Sequence, residues 1–207
     1  MILRPYQERF INNISAKLRI HRKVVAQLAT GGGKTVCFAA ICDRYCAKSS
    51  QDVLILVHRE ELLTQAAKAI KLPVQKVVAG MKSIPHARVY VAMVESAHKR
   101  LHLFDNIGMV IVDECHIGNF TKVIDHFTDS YIIGFTATPL AAKKTNPLRN
   151  YFDDIVCGID IPELIEQGFL APEQTYSASN IIERAKLKMK AGDFDQAQMG
   201  AMYKEPK

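Results

Sequence analysis

The residues best placed to do chemistry lie in the run Leu28-Ala29-Thr30-Gly31-Gly32-Gly33-Lys34-Thr35. Consecutive glycines let the backbone N–H groups of a turn approach an anion, and a Gly-Lys-Thr ending adds a cation and a hydroxyl. The run ends an apolar segment, Val24 to Leu28, that reads as a short buried strand, and it precedes a helical pattern from Lys34 to Ala47. Strand, glycine turn and helix is the context that a phosphate-binding loop requires, because the start of the helix favours negative charge. Lys34 would then reach the β- and γ-phosphates of a nucleoside triphosphate, and Thr35 would ligate Mg²⁺. One position departs from the pattern GxxxxGK[ST]: Leu28 stands in place of the first glycine.

A second chemical feature is Met109-Val110-Ile111-Val112-Asp113-Glu114-Cys115-His116. Its apolar strand carries two carboxylates to its carboxyl end, the edge at which open parallel sheets hold ligands. Asp113 could hold Mg²⁺ through water, and Glu114, adjacent but pointing elsewhere, could orient and deprotonate an attacking water. Adjacent acids at a strand end can also be solvated turn residues; the phosphate loop upstream favours the catalytic use.

The remaining chain supplies the elements that must position these groups. A helix is expected over Tyr6–Ile20, from apolar residues at helical spacing after Pro5. Strands are expected at Val53–Val57, Val74–Val78, Val89–Met93, Met109–Val112 and Tyr131–Phe135, with helices at Glu60–Ile70 and Glu95–Leu101. Such alternation predicts an α/β domain with a mostly parallel central sheet and helices on both faces. Asn146–Phe152 reads as a surface loop, Ile155–Ile159 as an edge strand and Pro162–Gln167 as a short helix. From Ser177 the chain turns polar, with Gly192 followed by Asp193 as a possible helix cap, so residues 1–176 are expected to form the domain and 177–207 a connector.

Composition narrows the class. Hydrophobic residues make up 48% and charged residues 23%, which excludes disordered, collagen-like and coiled-coil chains. The apolar runs are too short to span a bilayer and no leader pattern opens the sequence, so a soluble cytoplasmic protein is expected, with no membrane partner. Five cysteines without a CxxC pair fit a reducing compartment; Cys42 and Cys46 share a helix face and serve either the core or, with partners not evident, zinc. The net charge of +6 is unevenly spread: residues 1–100 carry 17 basic and 6 acidic side chains, residues 101–170 carry 4 and 10. A basic front half suits a polyanion partner, although many basic domains bind none.

Taken together, Leu28 to Thr35, Asp113-Glu114-Cys115-His116 and Gly134-Phe135-Thr136-Ala137-Thr138-Pro139 resemble motifs I, II and III of superfamily two helicases and translocases, in order. Arg4-Pro5-Tyr6-Gln7 is similar to the adenine-reading segment of the branch that holds phage helicases and the motor subunits of type I and III restriction enzymes. The resemblance runs from residue 3 to about 175 and implies a RecA-like P-loop domain, ATP with Mg²⁺ as fuel, and nucleic acid, DNA rather than RNA, as track. It implies that Gln7 hydrogen-bonds the adenine edge with Arg4 near the base, that Thr30, Gly31, Gly32, Gly33, Lys34 and Thr35 cradle the phosphates, and that Thr35 and Asp113 hold the metal. Glu114 would be the base, while His116, Thr136 and Thr138 would couple the nucleotide to the nucleic-acid face. Read without the resemblance, Gln7 could equally be an exposed polar residue, and the threonines an ordinary strand end.

The same resemblance assigns Val57-His58-Arg59-Glu60-Glu61-Leu62-Leu63-Thr64-Gln65 to motif Ia, with Arg59 and Gln65 on phosphates. In Val91 to Arg100 the family's usual Thr or Ser and Gln are replaced by Met93 and Glu95; Ser96, Lys99 and Arg100 could compensate. Motifs IV to VI, which in the family lie on a second RecA-like domain and supply transition-state arginines, do not follow residue 177. The chain is therefore expected to be the first motor lobe of a longer polypeptide in a bacterial or phage-infected cell, binding ATP but hydrolysing it poorly alone. The alternatives are a stand-alone ATP- or nucleic-acid-binding module without motor activity, or a P-loop switch ATPase.

Overall fold

A computed structural model describes residues 2–117, 120–141, 147–173, 189–190 and 193–194. The first helix, α1, spans Pro5–Lys17; Pro5 sits in the first turn, where its missing N–H has no helical partner to lose, and Phe10, Ile11 and Ile14 recur on the buried side. There follow β1 (Lys23–Gln27), α2 (Lys34–Cys46), β2 (Asp52–Val57), α3 (Glu60–Ala69), β3 (Val74–Val77), β4 (Val89–Met93), α4 (Val94–His98) and β5 (Ile107–Val112). After these come α5 (Thr121–His126), β6 (Tyr131–Thr136), β7 (Asp154–Cys157) and α6 (Ile161–Glu166). Short 3₁₀ turns occupy Leu101–Leu103, Cys115–Ile117, Pro139–Ala141 and Leu148–Asn150.

The strands form one sheet in the order β3-β4-β2-β5-β6-β1-β7, and every pairing is parallel. Side-chain alternation gives that sheet two apolar faces, as the run of branched residues in its central strands requires. On one face Val24, Ala26, Ile55, Ile111 and Phe135 pack under α1, α2, α3 and α6. On the other, Val25, Leu56, Val110, Val112 and Ile132 pack under α4, α5 and the aromatic group Phe104, Phe120 and Phe127. Helices thus cover both faces, as the alternating pattern predicts.

Two local features differ from what the sequence alone suggests. Helix α5, between β5 and β6, has no counterpart in the sequence reading, because six residues are too few to show a period, yet the parallel β5–β6 pair needs a crossover. The segment Asn146–Phe152 is not simply a surface loop: Leu148 and Phe152 are buried, with the Phe152 ring 5.8 Å from that of Phe120. Met189–Lys190 and Asp193–Phe194 form an antiparallel two-stranded ribbon, and the short helix that Asp193 could cap falls on residues outside those described. The expected edge strand is present as β7, at the end of the sheet beside β1 among the described residues.

Contacts divide the chain into one unit over Met1–Ala171 and another over Pro172–Lys207. Apart from the ribbon, most of the connector expected over 177–207 lies outside the described residues. Among the described residues no helix is long and apolar enough to cross a membrane.

Candidate nucleotide site and the adjoining edge

Parallel strands bring all their carboxyl ends to one edge of the sheet. There β1 runs into the glycine loop, β5 into Asp113-Glu114, β6 ends at Thr136, β2 leads to His58-Arg59 and β4 to Glu95-Ser96. The four central strands in the order β2-β5-β6-β1 therefore set the segments from separate parts of the sequence side by side.

In the glycine loop, Gly31 and Gly33 hold φ of 83° and 86°, the left-handed region that side chains disfavour. Space is short as well: a Cβ on Gly33 would stand 2.5 Å from Gln7 Nε2, and one on Gly31 2.8 Å from Leu170 Cδ2. Leu28 is fully buried, and a Cβ on Gly32 would lie 2.9 Å from its Cγ, so the leucine that replaces a glycine fills the space beneath the turn. Gly33 caps α2 without a side-chain hydrogen bond, which leaves the N–H groups of the first turn, including that of Thr35, open to an anion. Thr30 is exposed on the loop.

The start of α1 is tied to this loop. Gln7 is 5% exposed, which settles it as an interior residue; its Nε2 donates to Gly32 O at 3.1 Å and its Oε1 accepts from Arg4 N–H at 3.0 Å. Tyr6 Oη donates to the same Gly32 carbonyl at 3.0 Å. The Arg4 guanidinium stands 4.3 Å from the centre of the Phe169 ring, which lies 5.3 Å from the Tyr6 ring. Tyr6, Phe169 and Leu170 escaped the sequence reading; Tyr6 looked like one more helix-core residue, and nothing local in Phe169-Leu170 marks its approach to a loop so far upstream.

The acidic pair sits opposite. Asp113 is 8% exposed, and burial, with the Glu114 charge beside it, pushes its carboxyl from the ordinary 3.8 up to about 6, against the opposing pull of Lys34. Glu114 takes φ 49°, and its Oε1 lies 3.0 Å from Lys34 Nζ. The other oxygen, Oε2, is 3.4 Å from His116 Nδ1, which in turn meets Thr136 Oγ1 at 2.9 Å. Thr138 N–H donates to Thr136 Oγ1 at 3.0 Å, and Leu28 N–H to Thr136 O at 3.0 Å. Thr136 is fully buried, so His116, Thr136 and Thr138 form a satisfied polar bridge from the acidic pair to the root of the glycine loop. Gly134 earlier on β6 admits close packing, since a Cβ there would stand 2.5 Å from Phe152 Cζ and 2.8 Å from Cys115 Sγ.

These residues fit a triphosphate with a divalent cation. The glycine cradle would be filled by any side chain, the α2 N-terminus is uncapped, and Lys34 rests on a carboxylate that a phosphate could replace. A buried carboxyl held near pH 6 gains most from a cation, and Asp113 and Thr35 are the groups that could hold one.

Along the rest of the edge, Arg59 and Gln65 are exposed at the start and middle of α3. Glu60 and Glu61 occupy its first turn, so the helix dipole is already complemented there. Lys99 is exposed after α4, whereas Arg100 donates from Nε to Met81 O at 2.9 Å and from Nη1 to Ser96 O at 3.0 Å. Arg100 and Ser96 are thereby brought together.

Residues 1–141 match the family described as "Type III restriction enzyme, res subunit". IRC3 of Saccharomyces cerevisiae, named as an ATP-dependent helicase, is 31% identical across 97% of this chain and 32% of its own length. A type I restriction enzyme EcoAI endonuclease subunit of Escherichia coli is 30% identical over 82% of this chain and 23% of its length. In structure, the UvsW helicase of bacteriophage T4 superposes with a TM-score of 0.62 at 20% identity, covering 76% of this chain and 60% of that one. The type ISP restriction-modification enzyme LlaGI, solved with a DNA substrate mimic, gives 0.64 at 18%, covering 82% and 21%. These likenesses show the RecA-like fold of helicase domains. The chain spans about a third of the length of IRC3, and by its first 141 residues it belongs to the family of type III restriction enzyme res subunits.

Proposed function

We propose that this chain is the amino-terminal ATP-binding lobe of a nucleic-acid helicase or translocase, coupling ATP hydrolysis to movement on a strand. The observation that carries it is the 3.0 Å ion pair between Lys34 and Glu114 at the mouth of an uncapped glycine loop, bridged through His116 to Thr136. Mg·ATP, when bound, supplies a phosphoryl group to be transferred to water and a cation that neutralises its oxygens. Lys34 would exchange Glu114 for phosphate, and the α2 N–H groups with Gly31 to Gly33 would complete the cradle. Thr35 and Asp113 would hold the cation, which would supply charge neutralisation of the phosphate oxygens. Glu114, released from Lys34, accepts the proton of the attacking water at a carboxylate oxygen. Gln7 and Arg4 give preference for adenine over guanine, and Thr136 carries the state of the site along β6.

DNA is the favoured track, which LlaGI, solved with a DNA substrate mimic, supports; Arg59, Gln65, Ser96, Lys99 and Arg100 are the residues that would meet it. A second RecA-like domain of the same longer polypeptide supplies the transition-state arginines, and residues 177–207 lead toward it. The span of about a third of IRC3 supports that arrangement. Cysteines that are all free fit the cytoplasm of a bacterial or phage-infected cell. The test is ATP hydrolysis by the full polypeptide with and without DNA. DNA-stimulated turnover that Glu114→Gln abolishes while ATP binding persists is expected; turnover retained in Glu114→Gln would remove Glu114 as the base.

A further inference from the structure

His58 stands at this edge without a role in the assignments above. It follows β2 directly and precedes Arg59. In the β2–β5 ladder Leu56 pairs with Val112, and Asp113 N–H donates to Leu56 O at 2.9 Å; His58 and Glu114 each follow two residues further on, and the Glu114 charge acts on the His58 ring. On the other side Val57 pairs with Met93, which brings His58 beside Val94 and one residue from Glu95. The ring is thus placed between a segment that faces phosphates and the carboxylate that faces water.

Its Nε2 is sealed from solvent and has no hydrogen-bond partner among the described residues. An unpaired buried ring nitrogen is a cost that the fold carries unless another state satisfies it. Burial lowers the proton affinity of the ring, His116 adds to that effect, and the charges of Glu114 and Glu95 oppose it, so both carboxylates act on this one imidazole. The replacement of the family's usual glutamine by Glu95 thereby gains a local counterpart. Glu114 meanwhile keeps a positive φ and is held by Lys34 and His116; when a phosphate draws Lys34 away, Oε1 loses its partner.

We propose that His58 is a positioning residue: engagement of Arg59 on the nucleic-acid backbone brings His58 Nε2–H to the freed Glu114 oxygen and holds that carboxylate in the orientation that takes a proton from water. This rests on the motor reading above and names the link by which strand binding reaches the base.

The experiment measures ATP turnover by the full polypeptide, with and without single-stranded DNA, for the unaltered protein and for His58→Gln, His58→Asn, His58→Ala and Lys34→Ala. A glutamine amide nitrogen reaches the place of Nε2, whereas that of asparagine reaches only the place of Nδ1. His58→Gln therefore keeps DNA stimulation, while His58→Asn and His58→Ala lose about tenfold in DNA-stimulated kcat with KM for ATP unchanged, as loss of one transition-state orientation requires. Full stimulation in His58→Ala, an equal fall in the Gln and Asn variants, or a change confined to KM would overturn the role of His58 and leave the motor reading intact. No stimulation of the unaltered protein, or normal turnover in Lys34→Ala, would instead overturn the motor reading and the role of His58 with it.

Discussion

Replacing Asp113 by asparagine should make the nucleotide-free chain more stable. The carboxyl is 8% exposed and is pushed from 3.8 up to about 6, chiefly by burial and then by the Glu114 charge. At about 1.4 kcal/mol per tenfold change in proton affinity, the folded state bears about 3 kcal/mol for carrying that charge, and local relaxation brings the expectation to about 1–3 kcal/mol. An asparagine keeps the volume, and its Oδ1 can still accept the Glu114 N–H that Asp113 Oδ1 accepts at 3.1 Å. The sign follows from linkage. Below pH 3.8 the group is protonated in folded and unfolded chains alike and the variant gains nothing; between 3.8 and about 6 the unfolded chain releases its proton first, and above about 6 the full cost is present. Thermal unfolding in magnesium-free buffer should therefore show equal midpoints near pH 3.5 and a variant higher by about 3–10 °C at pH 7.5. A variant less stable at pH 7.5, or a difference that does not change with pH, would refute the argument that Asp113 is held charged against its environment in readiness for a cation.

Two further outcomes follow from the same geometry. Gly33→Ala combines a left-handed φ of 86° with a Cβ 2.5 Å from Gln7 Nε2, so it should cost about 1–2 kcal/mol in denaturant unfolding and weaken ATP binding by displacing the Gln7–Gly32 contact. Arg59→Ala should weaken DNA binding and reduce the slope of log affinity against log salt by about 1, read by titration at several salt concentrations; an unaltered slope would place the phosphate contact elsewhere.

What could be read from the sequence is what repeats or is local. The branched residues of β2 and β5 and the strand–glycine–helix order announced the sheet and the loop, because period and turn chemistry are short-range signals. The site residues Lys34, Glu114, His116 and Thr136 were named from motifs, and the structure brings them within hydrogen-bonding or ion-pair distances along one chain of contacts. What stayed hidden depends on tertiary contact. Phe169 reaches Arg4, Leu170 reaches Gly31 and Phe152 packs beneath Gly134, each across a sequence distance at which no pattern survives. Gln7 was ambiguous for the same reason: a polar residue in a first helical turn looks solvated until the Gly32 carbonyl that receives it is known. Arg100 was named only as a contact that could compensate for Met93 and Glu95 in the motif, and nothing local announced that its Nε and Nη1 donate to the Met81 and Ser96 carbonyls.

The most direct measurement is a calorimetric titration of the chain and of Lys34→Ala with Mg·ATP and Mg·GTP. The Lys34–Glu114 pair and the uncapped loop predict ATP binding by the unaltered chain and loss of at least about tenfold in affinity in Lys34→Ala, and the adenine preference proposed for Gln7 and Arg4 predicts weak or no binding of GTP. Equal ATP affinity in Lys34→Ala would contradict the assignment of this edge as a nucleotide site.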